Sequence, residues 1–356
     1  MAKSAVDVIS TAFEHTRKQL AEPFRLGQWA RLALLALATG ELSSGGGCSN
    51  GWSRLSGLAK APNPSQNFID PKDVLRSIDP ALIGTLLLVA MLGGLVLMLV
   101  WIYVSSISRF ILFESVLQKR CDSLSAGWQR WQGRGLSYFW WQLALAIVGV
   151  GVAAVLFLPL LLPVLASMRN HEHPGPGLIL AFLPMILVFG IFGLIMLLIA
   201  VLAKDFVVPL MAVDGVGVME GWRRLLGMMK AEKASYAGYC GMKIVLAIGA
   251  SVVFGILSGI AALIVILPVG IAAGVVVIVG KGAGLGWNAF TITAAIVVGV
   301  IALAVLLYVI ALVCVPIAVF FPAYAMYFFA ERFPALHARL YPPAPPLPIP
   351  PPAPVG

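Results

Sequence analysis

Five uninterrupted apolar runs, each long enough to cross a lipid bilayer, constrain this chain more than any motif in it. They cover residues 81–104, 136–168, 178–203, 239–267 and 290–321. A helix rises about 1.5 Å per residue, so about 20 apolar residues span the hydrocarbon core. Backbone amides must be satisfied inside lipid, which leaves helices or a closed barrel. Barrel strands would need short segments of alternating polarity, and these runs are long and continuous. Composition agrees: 60% of residues are hydrophobic and 11% charged, against roughly 25% charged in a soluble domain. A water-soluble globule, a disordered chain and a disulfide scaffold are all excluded on this ground.

A sixth, shorter apolar stretch at 29–40 carries Arg31 and reads as a short first span. Residues 239–280 are too long for one crossing, and Pro268 and Gly270 predict a break that leaves 271–279 as a re-entrant helix. The expected fold class is therefore all-α: a polytopic transmembrane helical bundle of about six spans, with cytoplasmic interfacial helices and a parallel hairpin repeat. Residues 1–28 form a cytoplasmic amphipathic segment, with Val6, Ile9, Phe13 and Leu20 on one helical face. It lacks the apolar core of a signal peptide. Residues 29–341 form the membrane domain, with an outer loop at 41–80 and cytoplasmic loops at 105–135 and 204–236. Residues 342–356 form a Pro-rich disordered tail.

Orientation follows from Lys and Arg in the short loops. With six spans and a cytoplasmic N-terminus, sixteen of the 24 basic residues fall inside and six outside, with Arg31 and Lys243 at span edges. Both termini are expected in the cytoplasm. The net charge of +9 then reads as attraction to anionic lipid headgroups. Nucleic-acid binding would need a basic, base-reading groove, and no such pattern occurs.

The two cytoplasmic loops resemble each other. SRFILFESVLQKRCDSLSAGWQRW (108–131) and AKDFVVPLMAVDGVGVMEGWRRLL (203–226) each open on a charged residue before Phe. Each then reaches Gly-Trp-x-Arg, at Gly127–Arg130 and Gly221–Arg224, and enters the next span through Ser-Tyr. Both copies face the same side, so the repeat axis runs along the membrane normal. Trp belongs at headgroup level and Arg meets phosphates. Trp128, Arg130, Trp222, Arg223 and Arg224 are thus the candidate contacts to lipid headgroups or a partner.

KDFVVPLMAVDGVGVMEGWRRLL, the later VPIAVFFPAYAMYFFAERFPAL, and AFEHTRKQLAEPFRLGQWARLALLAL followed by a Gly-rich stretch at 43–51 carry a family resemblance. Over roughly 12–339 the chain resembles bacterial integral membrane proteins labelled after the membrane domain of glycerophosphodiester phosphodiesterases. The resemblance implies a multi-pass protein of the bacterial inner membrane and no activity. The soluble phosphodiesterase domain, with its His-Arg-Gly start and acidic metal ligands, does not occur in this sequence.

Catalytic motifs are missing. There is no H-E-x-x-H, P-loop, G-x-S-x-G or paired C-x-x-C, and no catalytic residue, metal ligand set or cofactor site is expected. His171-Glu172-His173 supplies only neighbouring ligands where a metal needs convergent ones. Cys48 is placed outside, and Cys121, Cys240 and Cys314 read as small apolar fillers. No Asp or Glu falls at mid-depth, where coupled transport would place one. Nine prolines within 342–354 make a polyproline II segment that could meet an aromatic-lined protein groove. The leading expectation is a non-enzymatic protein that organises lipid or partner proteins at the cytoplasmic face. A permease for a small amphiphile and a membrane-embedded enzyme of lipid metabolism are the alternatives.

Overall fold

The computed structural model describes residues 4–22, 24–41, 80–121, 123–169, 176–282 and 289–342. Among them there is no strand. The elements in chain order are α1 (Asp7–Ala21), α2 (Leu26–Thr39), α3 (Pro80–Leu117), α4 (Leu124–Arg169) and α5 (Pro176–Leu202). A single π-helical turn, Ala203–Val207, leads into α6 (Val208–Asp214). Then come α7 (Val218–Ala231), α8 (Lys233–Gly282), α9 (Ala289–Ala330) and α10 (Pro334–Leu340).

Five stretches are long and apolar enough to cross a membrane: Leu87–Leu117, Leu124–Leu158, Pro184–Asp214, Lys233–Gly280 and Thr293–Ala330. They lie in α3, α4, α5–α6, α8 and α9. This is an all-α polytopic membrane protein, and the sixth expected span does not join them. α2 has 14 residues, or roughly 21 Å of helix. It ends at Gly40, whose φ of 71° is the left-handed conformation glycine adopts freely, and whose N–H meets the carbonyls of Ala36 and Leu37. Glu41, expected at the start of an outer loop, lies 2.6 Å from Lys204, expected on the inner side. The two cannot be a bilayer apart, so α2 stops at the depth of the π turn.

The predicted break in the fourth run is also absent. α8 continues through Pro268 for 50 residues, because a proline forfeits one hydrogen bond and kinks a helix without having to end it. The loop expected at 105–135 is far shorter, since α3 runs on to Leu117 and Leu124 already begins α4.

Each long helix has two parts with different surroundings. Along the distal parts apolar side chains stand exposed, as at Leu87–Leu97 of α3, Ile186–Leu198 of α5, Ile244–Leu267 of α8 and Ile296–Leu307 of α9. The proximal parts are packed. Phe110, Phe206, Tyr236, Tyr239, Tyr324, Phe328 and Phe329 are all nearly inaccessible. Phe206 sits 5.0 Å from the Tyr239 ring and 5.2 Å from Phe329, and Tyr239 stacks on Tyr324 at 5.2 Å. Water would not tolerate the distal surface, while lipid solvates it at no cost.

α1 closes this packed end, by a face that overlaps the expected one only in part. Val8, Ala12, His15, Thr16, Gln19 and Leu20 are buried and Ile9 packs half-buried beside them, whereas Val6 and Phe13 are exposed. Polar ties hold it: Gln19 donates to the carbonyl of Ser115 at 3.0 Å, and the Tyr324 hydroxyl donates to the carbonyl of Ala5 at 3.1 Å. α10 is tied to the same end, where Arg339 donates to the carbonyl of Val213 at 3.3 Å.

Candidate functional site

Where the exposed apolar surface gives way to the packed end, charged side chains are buried in pairs. The π turn starts this. One extra residue in a helical turn redirects the side chains around it, and the neighbours Lys204 and Asp205 turn to different partners. Lys204 donates to Glu41 at 2.6 Å. Asp205 accepts from Tyr239 Oη at 2.9 Å and from Lys243 Nζ. Tyr239 and Lys243 are four residues apart and so lie on one face of α8. The Asp205 side chain is 2% exposed and that of Lys243 10%. Lys243 Nζ also lies 5.8 Å from the Phe321 ring centre, within cation–π range.

Arg109 completes the layer from α3. Its Nη1 donates to the Tyr138 hydroxyl at 3.1 Å, but its Nε is buried without a hydrogen-bond partner. Arg109, Glu41, Lys204 and Asp205 line one small cavity with Leu112, Phe113, Val208, Pro209, Pro322, Ala325 and Met326. The space open to water centres there is about 30 Å³, enough for one or two waters. Lys243 stood at a span edge in the sequence reading. Arg109 figures there only as the charged residue that opens the first repeat, and Glu41 only as the start of the outer loop. The legible signal was Lys243 within an apolar helix, one turn after Tyr239, beside the Lys204-Asp205 doublet.

The five residues expected to meet headgroups are divided by the structure. Gly127 and Gly221 make the same contact in the two repeats. A Cβ on Gly127 would lie 3.1 Å from Ile111 Cγ2, and one on Gly221 would lie 3.0 Å from Val207 Cγ1. Ile111 and Val207 each follow the matching Phe, so the likeness of the two segments extends to packing. The segments otherwise differ, because Trp128 and Arg130 ride on the first turns of the long α4, while Trp222–Arg224 lie on the separate α7.

Trp128 and Trp222 are half-buried, against Tyr103 at 5.8 Å and Trp141 at 5.8 Å. The Trp222 indole N–H is buried without a partner. Arg130 is taken by Glu114, which also accepts from Trp131 Nε1 at 2.6 Å. Arg224 is taken by Asp214 at 2.6 Å and by Glu220 at 3.0 Å. Arg223 stands furthest out, with its side chain 80% exposed and only the surface carboxylate of Glu220 beside it. It shares an outward stripe of α7 with Met219, Leu226 and Lys230, all exposed.

Glu114, Asp205 and Asp214 do not converge. Each has its own cation, and no group of three potential metal ligands occurs among the described residues. His171–His173 and the Pro-rich tail beyond Pro342 lie outside the described residues. Neither Cys121 nor Cys240 is in a disulfide. Cys314 is nearly inaccessible, with its Sγ 3.5 Å from the Ser258 hydroxyl. Cys48 lies outside the described residues.

The fold and its buried charge layer define a helical multi-pass membrane protein. The chain belongs to a family of unknown function (DUF7544), which it matches over residues 3–339. That match replaces the expected link to the phosphodiesterase-associated family, to which no connection is shown. No curated protein and no solved structure matches the chain.

Proposed function

We propose that this membrane protein is non-enzymatic and organises anionic lipid at its packed face, with that face in the cytoplasm of a bacterial cell. One observation carries the reading. Met219, Arg223, Leu226 and Lys230 recur at i, i+4, i+7 and i+11 along α7 and are all exposed. Apolar and basic side chains alternating on one helix stripe suit a headgroup layer, where Met and Leu enter the acyl boundary and the cations meet phosphates. Arg223 can serve because its exposed pair with Glu220 contributes roughly 0–1 kcal/mol and exchanges readily. The K/R distribution supports the cytoplasmic side. Carboxylates that a lipid-metabolising enzyme would need are each held by a cation in a separate place.

A second reading, a permease for a small amphiphile, rests on the buried Asp205–Lys243 and Glu41–Lys204 pairs. Ionisable groups at membrane depth mark transport paths in many carriers. The cavity beside them is water-sized, so the organising role is preferred.

The test is lipid selectivity in mixed nanodiscs. The wild-type chain is expected to enrich phosphatidylglycerol over phosphatidylcholine among its bound lipids, and R223Q/K230Q to lose most of that enrichment. Equal enrichment in both proteins would sink the proposal.

A further inference from the structure

The buried charge layer is not electrically closed. Glu41 is matched by Lys204, and Asp205 by Lys243. Arg109 makes no ion pair with a described carboxylate, and its one hydrogen-bonded partner is the neutral Tyr138 hydroxyl. Its Nε is buried without an acceptor, and the residue lines the small cavity with Glu41, Lys204 and Asp205. Arg109 as a residue is half-buried, and a cation held partly out of water without a carboxylate paired to it is completed by an anion. A guanidinium fork suits a planar or tetrahedral oxyanion.

The level of the cavity narrows the class of anion. Lys204 lies four residues beyond the exposed Ala200, roughly 6 Å along the helix. Lys243 directly precedes the exposed Ile244. The cavity therefore sits just past the end of the apolar surface, at the depth of lipid headgroups. Its size, about 30 Å³ for water centres, admits one or two oxygens of an anion and not a whole headgroup.

We infer that this cavity is a phosphate-oxyanion site, in which Arg109 takes one or two phosphate oxygens while the rest of the molecule lies outside. The shared chemistry is a phosphate group, carried by a phospholipid from the surrounding bilayer or free in solution. Asp205 and Glu41 stay engaged with their lysines, which keeps their charge from repelling the ligand. Tyr138 orients the guanidinium through the 3.1 Å hydrogen bond. This site is distinct from the α7 stripe and does not depend on it.

Native mass spectrometry of the full chain, delipidated and then titrated with phosphatidylglycerol, tests the inference. Wild type is expected to hold one phospholipid that survives extensive washing. R109Q is expected to bind that lipid at least 10-fold more weakly, and R109K to fall between. R223Q/K230Q should keep the tight lipid, which separates this site from the surface proposed above. Inorganic phosphate distinguishes the sources: competition at millimolar concentration assigns the site to phosphate from either source, whereas no competition with lipid binding still lost in R109Q assigns it to a lipid phosphodiester. Diacylglycerol held as tightly as phosphatidylglycerol would overturn the inference. So would equal retention of phosphatidylglycerol by R109Q and wild type. Thermal unfolding of R109Q and R109K in detergent confirms that both are folded when measured.

Discussion

His15 is the residue at which α1 is most tightly bound to the rest of the chain. Its Nδ1 lies 3.0 Å from the Tyr327 hydroxyl and its Nε2 2.9 Å from the carbonyl of Val116. A neutral ring satisfies both: Nε2–H donates to the carbonyl, and Nδ1 accepts from the tyrosine. Burial pushes its pKa down to about 4, with Lys119 adding repulsion and the Val116 hydrogen bond acting the other way. The folded value lies below the unfolded one, so the neutral ring's stability is fully present above pH 6.5. It is lost as pH falls toward 4, up to roughly 3 kcal/mol by linkage. Thermal unfolding of wild type and His15→Gln in detergent at pH 7.5 and pH 4.5 is expected to show a larger acid loss in wild type. Equal losses would refute it.

The buried pair gives a second prediction at this scale. Removing one partner leaves an unmatched charge, which costs about 3–5 kcal/mol in buried sites. Asp205→Asn is expected to destabilise the chain on that order, and Asp205→Asn/Lys243→Met to recover much of it. Unfolding temperatures of the single and double variants decide this. None of these partnerships was legible in the sequence, because a pair formed across distant helices leaves no local spacing. Glu41 and Lys204 are 163 residues apart.

At the scale of elements, what was legible followed hydrophobic length. Five apolar runs became five long helices, because lipid imposes that length directly. Misreadings arose where composition and packing diverge. α2 is apolar enough to suggest a short span, yet Leu32, Ala33, Leu35 and Ala36 are buried against other helices, and its last turn meets α3, where Ser105 donates to the carbonyl of Thr39 at 3.4 Å. α1 has an apolar stripe of which Leu20 is buried and Ile9 half-buried, while Val6 and Phe13 are left exposed because the polar His15, Thr16 and Gln19 found partners on the adjoining face. The Gly-Trp repeat was legible, whereas its packing partner was not. Gly221→Ala would press a methyl against Val207 and is expected to cost about 1–3 kcal/mol. Gly227, on the same helix with nothing within 4 Å of a Cβ, is the control. Gly227→Ala is expected to be neutral or to stabilise by up to about 1 kcal/mol through helix propensity. Unfolding of the two variants side by side would show opposite signs.

The whole molecule is a packed, charge-paired base from which apolar helices extend, and its topology can be tested directly. α3 arrives at the base, α4 leaves and α5 returns, α8 leaves and α9 returns. α1 and α10 both pack on the base, through Ala5 and Val213 respectively. The ends of the described chain therefore both lie at the base, although α2 stops at the depth of Lys204 and only five of the described stretches are long enough to cross. Basic-residue counting leads to the same pairing from independent physics, since it responds to loop charge and not to packing. Phe13 on α1 and Ala335 on α10 are exposed and can each be replaced by cysteine, with the four native cysteines changed to serine. A membrane-impermeant maleimide is expected to label Phe13→Cys and Ala335→Cys from the same side: both protected in intact cells and both modified in inverted vesicles. Labelling of the two from opposite sides would break the arrangement of α1 and α10 on one base. Labelling of both from outside would keep the arrangement and reverse the orientation. In that case the α7 stripe would face the outer leaflet and the K/R count would have misled.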